Sequence, residues 1–328
     1  MNMLWAVILL PAGLLILIKA ADLLVDGAVS VAEKFHISPL LIGLTIVAMG
    51  TSAPEVAASI TAAAHNFGDT AIGNVYGSNI ANLALVGGIC AIIRPIRIGR
   101  SIVRRELPAL FVVSMLLWPV LFDLQLSRSD AVILLVIFAA LMGFVVHAAR
   151  KQIKTGTVNA SQSDILAEVE THAKNKPVYL SVVLIVLGLV GLAGGADLTV
   201  RSAVFIGKAA GLSEAVIGLT IIAIGTSLPE LTTCVVASVK GHDDLSIGNL
   251  IGSNIFNTLL VVSTAGLVRP FSINPRLTGT DYWVMVGVTG LFVAISGITR
   301  NIKRLSGIIL TATYIAYMTY VFVFTRGV

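Results

Sequence analysis

The feature that most constrains this chain is a forty-residue stretch that occurs twice. Gly43–Asn82 and Gly218–Asn257 align at a constant offset of 175 residues without a gap, and 20 of the 40 positions are identical. The identities gather in two clusters. Gly50, Thr51, Ser52, Pro54 and Glu55 match Gly225, Thr226, Ser227, Pro229 and Glu230, and Gly77, Ser78, Asn79, Ile80 and Asn82 match Gly252, Ser253, Asn254, Ile255 and Asn257. What repeats is polar and helix-breaking, set inside apolar text. A repeated packing pattern would have the opposite composition, so the duplication points to a site.

The surrounding text excludes a water-soluble domain. Of the 328 residues 56% are hydrophobic and 12% charged, with a mean hydropathy of +0.95, whereas soluble domains carry about 25% charged residues. The net charge of +5 is accounted for by membrane-flanking loops and calls for no nucleic-acid partner. Two cysteines, Cys90 and Cys234, lie in apolar runs, which argues against a disulfide framework or a Cys-rich metal site. Nothing basic precedes the first apolar run and no small-residue cleavage site follows it, so that run reads as a retained first span.

Hydropathy predicts an all-α polytopic membrane protein with ten transmembrane helices, near residues 4–31, 38–64, 70–93, 107–122, 129–148, 178–205, 213–239, 245–268, 282–299 and 304–325. A polar linker over 149–177 separates five spans in 1–148 from five in 178–328. Within the linker Ser163–Ala173 has the composition of a short interfacial helix, though a plain connection suits it better. With the N-terminus outside, fifteen Lys and Arg fall on the inner side and six on the outer; the positive-inside rule therefore places both termini outside and the linker in the cytoplasm. The repeat extends further at the same offset: Asp22 matches Asp197, Arg94-Pro95 matches Arg269-Pro270, and Glu106 matches Asp281. Because five is odd, the second half must enter the membrane from the other side. The expected architecture is two inverted five-helix repeats, as in many secondary transporters, whose substrates bind near the midplane on interrupted helices.

Glu55 and Glu230 fall near the middle of their spans, where an ionised group costs about 3 kcal/mol by insertion scales. One such residue could be satisfied by a neighbouring helix; two copies in the same polar setting argue for function. Pro54 and Pro229 cannot donate to the carbonyls of Gly50 and Gly225, which exposes backbone oxygen at that depth. Thr51 and Glu55 are four residues apart, as are Thr226 and Glu230, so each pair shares a helix face. Ser52 and Ser227 add hydroxyls one step around. Ser78 with Asn82, and Ser253 with Asn257, present a hydroxyl and an amide from the following span. Close packing of small residues explains Ser59 or Ala62 well enough, but it does not explain a duplicated Pro-Glu. The donors are carboxylate, hydroxyl, amide and carbonyl oxygens, without His or Cys, a set suited to hard cations. Many flexible oxygens suit Ca2+ better than Mg2+. Two carboxylates about 6 Å apart repel by roughly 3 kcal/mol at an effective dielectric of 20, and one Ca2+ or two Na+ would neutralise the pair.

At these residues the sequence resembles the cation/Ca2+ exchanger superfamily, whose inverted alpha-repeats carry GTS-PE and GSN motifs, and it is most similar to the compact bacterial Na+/Ca2+ exchangers. The resemblance spans essentially the whole chain. It implies that Glu55, Glu230, Thr51 and Thr226 coordinate Ca2+, and that Ser52, Ser227, Ser78 and Ser253, with the carbonyls near Ala48 and Ala223, complete Na+ sites. Asn82 and Asn257 fall at the central polar positions, where some relatives have an aspartate in the second copy. The resemblance further implies alternating access, in which spans one and six slide across the rest. The short loops suggest a prokaryotic plasma (inner) membrane, with an organellar membrane as the alternative, and nothing in the sequence calls for a cofactor or an obligatory protein partner. Asp22 lies toward one end of span one, which suits an interfacial structural role as well as a gating one.

Three other readings compete. Ca2+/H+ or K+-dependent exchange fits the same scaffold, although the hydroxyl and amide ligands beyond the glutamates favour Na+. A channel-like conduit fits poorly with helix breaks in inverted copies. A membrane hydrolase lacks a motif: there is no H-E-x-x-H, and His36, His65, His147, His172 and His242 are scattered near span ends or loops.

Overall fold

The computed structural model describes residues 2–155, 177–211 and 223–324. The expected interfacial helix at Ser163–Ala173 and the start of the span at 213–239 lie outside them. The chain is helical: α1 (Met3–Lys34), α2 (Pro39–Thr51), α3 (Ala53–Ala64), α4 (Gly68–Ile93), α5 (Leu107–Val120), α6 (Arg128–Thr155), α7 (Val178–Ala209), α8 (Ala223–Thr226), α9 (Leu228–Val239), α10 (Asp243–Val268), α11 (Leu277–Thr299) and α12 (Arg304–Phe324). Among the described residues seven helices are long and apolar enough to cross a membrane, and α2 with α3, bent by 44° at the break between them, adds an eighth. α5 has 14 residues and α9 has 12, so each covers only part of the span expected there. α6 runs on through Thr155, into the stretch expected as linker.

Local sequence explains the helix ends near the site. Pro39 opens α2 behind Ser38, whose hydroxyl accepts the Leu41 amide at 3.3 Å, an N-cap with proline in the first turn. α2 stops at Thr51 and α3 begins at Ala53 with Pro54 in its first turn; the missing proline N–H and the ring clash forbid a continuous helix there. The same break recurs 175 residues on, where α8 ends at Thr226 and α9 begins at Leu228 with Pro229. Wider turns recur as well. α4 passes through a π-helical turn at Ala81–Val86 and α10 through one at Asn257–Val261, while Ile102–Glu106 and Leu277–Asp281 form matching π turns before α5 and at the start of α11.

Two hydrophobic clusters divide the core. The smaller joins α1 and α7 to each other and to the flanks of α2, α9 and α10, through Leu17, Leu24, Ile185 and Leu192 against Ile42, Val47, Ala237 and Leu245. The larger gathers the remaining helices around Tyr76, Leu83, Leu250, Tyr282 and Phe292. The long, lipid-like outer faces of α1 and α7 leave Leu15, Ile18, Val186 and Val190 exposed. Two short antiparallel ladders, which the sequence did not announce, tie the halves together: β1 (Ile96–Arg97) pairs with β4 (Asn301–Ile302), and β2 (Gln125–Leu126) pairs with β3 (Phe271–Ser272).

The crossing of α2 and α10 is set by backbone contact. A Cβ at Gly43 would lie 2.6 Å from the Leu245 carbonyl oxygen, and one at Gly248 would lie 2.6 Å from that of Leu40. Backbone cannot yield as a side-chain tip can. Gly248→Ala is therefore expected to destabilise the fold by about 1–3 kcal/mol and to lower the thermal midpoint of the detergent-solubilised protein. Gly143→Ala, where nothing lies within 4 Å of the added carbon, should leave the midpoint unchanged; equal effects of the two would refute a crossing set by contact.

Candidate functional site

That crossing brings the two sequence repeats together. Glu55 and Glu230 stand in the first turns of α3 and α9, both fully buried. Ser52, at the break of the first copy, donates to Glu230 Oε1 of the second at 3.0 Å. Glu55 Oε1 accepts from Ser78 of α4 at 3.4 Å. Thr51 reaches across to α10, donating to Asn249 Oδ1 at 3.1 Å, with Ser253 Oγ at 3.4 Å. Thr51, Ser52, Ser78, Ser227, Ser253, Asn82 and Asn257 are all buried. Thr226 is half-buried at the end of α8, and Ala223 opens that helix. The Ala48 carbonyl accepts the Ser52 amide at 3.0 Å, and the Thr51 hydroxyl, whose proton goes to Asn249, lies 3.3 Å away, so one of its lone pairs is already engaged. In the second copy the Ser227 amide turns instead to Ile224 O at 3.1 Å.

The informative property of this cluster is what its atoms lack. Among the described residues, Glu55 Oε2, Glu230 Oε2 and Ser227 Oγ are buried without a hydrogen-bond partner, as are both amide atoms of Asn82 and of Asn257. Buried polar groups are nearly always paired, because an unpaired one costs 1–3 kcal/mol or more. Here seven such atoms belong to five of the residues singled out by the repeat, and two of them are carboxylate oxygens close enough for the glutamates to repel each other. Such a set is satisfied by cations. Hard oxygen donors from two carboxylates, hydroxyls and amides are the ligand chemistry of Ca2+ and Na+.

Several polar residues joined to this cluster were missed in the sequence. Asn249 holds Thr51 and donates to Cys234 Sγ at 3.3 Å. Its counterpart 175 residues earlier, Asn74, donates to Ser59 Oγ at 2.9 Å and to the Glu55 carbonyl at 3.3 Å. Asn79 donates to Thr258 Oγ1 at 2.9 Å. Asn74 and Asn249 are identical in the two copies, as are Asn79 and Asn254, and that identity was the available signal.

Asp22, matched in sequence to Asp197, has a different partner from its match. Asp22 and Asp26 on α1 bracket Lys240, just past α9, with N–O distances of 2.5 and 2.6 Å. Asp197 pairs with Arg201 on its own helix at 2.8 Å.

A helical bundle with a buried, oxygen-rich and under-satisfied cluster has the chemistry expected of a membrane protein that handles cations. The comparisons with known proteins say which kind. The sequence profile of the sodium/calcium exchanger protein family matches residues 5–147 and 180–323, and the chain belongs to that family. Inner membrane protein YrbG of Escherichia coli is 37% identical over 325 residues, 98% of each chain. Sodium/calcium exchanger MaX1 of Methanosarcina acetivorans is 29% identical over 342 residues, covering 96% of this chain and 98% of that one. A structure of the sodium-calcium exchanger NCX_Mj soaked with 2.5 mM Na+ and 0.1 mM Ca2+ matches with a TM-score of 0.81 at 30% identity, covering 96% of this chain and 97% of that one. The protein is thus an integral membrane transporter for cation/Ca2+ exchange and not an enzyme.

Lys240 lies ten residues beyond Glu230, roughly 15 Å along a helix. Asp22→Asn is therefore expected to change Ca2+ affinity by less than about twofold in calorimetric titration of the purified protein. A large loss would place Asp22 in the binding site and not at an interface.

Proposed function

We propose that the protein is a secondary active antiporter that exchanges Na+ for Ca2+ at the two-glutamate site, by alternating access. Glu55 and Glu230, with Thr51 and Thr226, are the Ca2+ ligands. Ser52, Ser227, Ser78 and Ser253, with the carbonyls of Ala48 and Ala223, complete the Na+ sites, and Asn82 and Asn257 lie between the copies. The observation that carries this reading is the convergence of unpartnered buried oxygens from both repeats on two carboxylates. A divalent ion and a pair of monovalent ions neutralise those carboxylates equally, so the two species compete for one charge requirement, and competition is the physical basis of coupling. The exchange named for MaX1 and NCX_Mj supports the same assignment.

The architecture in this proposal is ten spans in two inverted repeats, 1–148 and 178–328, joined by a cytoplasmic linker over 149–177, with both termini outside. Recurrence of the α2–α3 break and of the π turns at the 175-residue offset supports it. α1 and α7, which share a hydrophobic cluster largely of their own, form the unit that slides across the remaining helices. An inner-membrane location suits the likeness to YrbG. No cofactor and no protein partner enters the scheme; its partners are Ca2+, Na+ and the bilayer.

Proteoliposomes loaded with Na+ and diluted into Na+-free medium containing labelled Ca2+ test the assignment. Uptake should require the outward Na+ gradient. Glu55→Gln and Glu230→Gln each strip a charge from the site, which costs about 3 kcal/mol or more, a loss of more than a hundredfold in affinity, so uptake should vanish in both. Uptake indifferent to Na+ but driven by an imposed proton gradient would reassign the protein to Ca2+/H+ exchange, and uptake dependent on added K+ to the K+-requiring kind. Uptake surviving in either variant would refute the site.

A further inference from the structure

Away from the ion site, a groove opens where α2, α5 and α6 meet. Its walls are apolar, among them Leu41, Leu44, Leu141, Val145 and Ile255, and among the described residues the charged ones lining it are Arg105 and Glu106. The Arg105 guanidinium lies over the Phe144 ring, 5.6 Å from its centroid, and makes no ion pair with a carboxylate among the described residues. Arg105 and Glu106 are adjacent in the chain and attract each other electrostatically, but they point from successive positions of one turn and form no direct ion pair among the described residues. Glu106 Oε2 is buried and has no hydrogen-bond partner among the described residues.

The second half of the chain shows what such an acid requires. Asp281, 175 residues beyond Glu106, accepts from the Tyr317 hydroxyl at 3.3 Å and pairs with Arg276 Nε at 3.2 Å. The positions matching Tyr317 and Arg276 are Met142 and Ser101, and Met142 lines the groove. The first half thus keeps the acid and loses both groups that satisfy it, and the residue that carries the unsatisfied oxygen lines the groove. Five arginines between Arg94 and Arg105 mark this level as the headgroup zone of a bilayer.

We propose that this groove binds a phospholipid with an ethanolamine headgroup: the phosphate rests on Arg105, the ammonium donates to Glu106 Oε2, and an acyl chain lies along the apolar walls. The two charges select the headgroup. An anionic glycerol headgroup satisfies Arg105 but brings no cation to Glu106. A choline headgroup brings a cation with no N–H to donate. A lone divalent ion would find a single carboxylate where it needs several oxygen ligands. The inference goes beyond the transport reaction and does not depend on which ions are exchanged.

Native mass spectrometry of the full-length protein in detergent, offered equimolar dioleoyl phosphatidylethanolamine, phosphatidylglycerol and phosphatidylcholine, tests it. Wild type should retain the ethanolamine lipid over each of the others by about tenfold, the scale of one charge-assisted hydrogen bond. Glu106→Gln should reduce that preference to within about twofold, and Arg105→Gln should weaken the ethanolamine and glycerol lipids alike. Met142→Tyr supplies the phenol found at Tyr317 and fills the groove, so it should displace the lipid while leaving the acid satisfied and the fold intact. Equal retention of the three lipids by wild type, or an ethanolamine preference that survives both Glu106→Gln and Met142→Tyr, would overturn the proposal.

Discussion

Two carboxylates from opposite halves of the chain are held in the interior of one apolar bundle, each with an oxygen that the protein leaves unsatisfied. The rest of the architecture follows from that arrangement. Ionised and alone, such a pair would be prohibitive in a low-dielectric interior. It is tolerable only if something external supplies the missing positive charge. The Ser52 hydroxyl on Glu230 is the contact that fixes the geometry, because it ties the helix break of one copy to the carboxylate of the other. Neither copy makes the site alone.

Delivering those groups to one place needs helices that can both break and approach closely. The breaks come from proline, which ends α2 before α3 and α8 before α9. The approach comes from glycine: Gly43 and Gly248 let the backbones of α2 and α10 touch, which carries Thr51 to Asn249 and Ser253. In a membrane, where apolar side chains gain little by leaving lipid for one another, such close backbone packing is a main source of association. The π turns at Ala81–Val86 and Asn257–Val261 carry the two unpartnered asparagines; a widened turn disturbs the regular ladder of hydrogen bonds, a feature often found at functional sites.

Much of this was legible in the sequence because a polar, helix-breaking motif inside apolar text has few structural uses. The glutamates, Thr51, the serines and Asn82 and Asn257 could be chosen on that ground, and all of these are found buried in the described structure. Partners across the interface were not legible. Thr51 and Asn249 are 198 positions apart, and nothing local to either names the other. Asn74 and Asn79 were not chosen as site residues although both are duplicated. Asp22 was recognised by its match to Asp197, yet the match concealed a difference: one acid is bound by a lysine just past the end of another helix and the other by an arginine one turn along its own. Glu106 and Asp281 carry the same lesson, because a repeat preserves positions more faithfully than the contacts those positions make.

The central claim is that one ion is shared by the two copies, and anomalous difference density from Ca2+-soaked crystals tests it most directly. The account predicts its strongest peak within about 2.3–2.6 Å of oxygens from both Glu55 and Glu230. A strongest peak coordinated by one glutamate alone, or by neither, would contradict it.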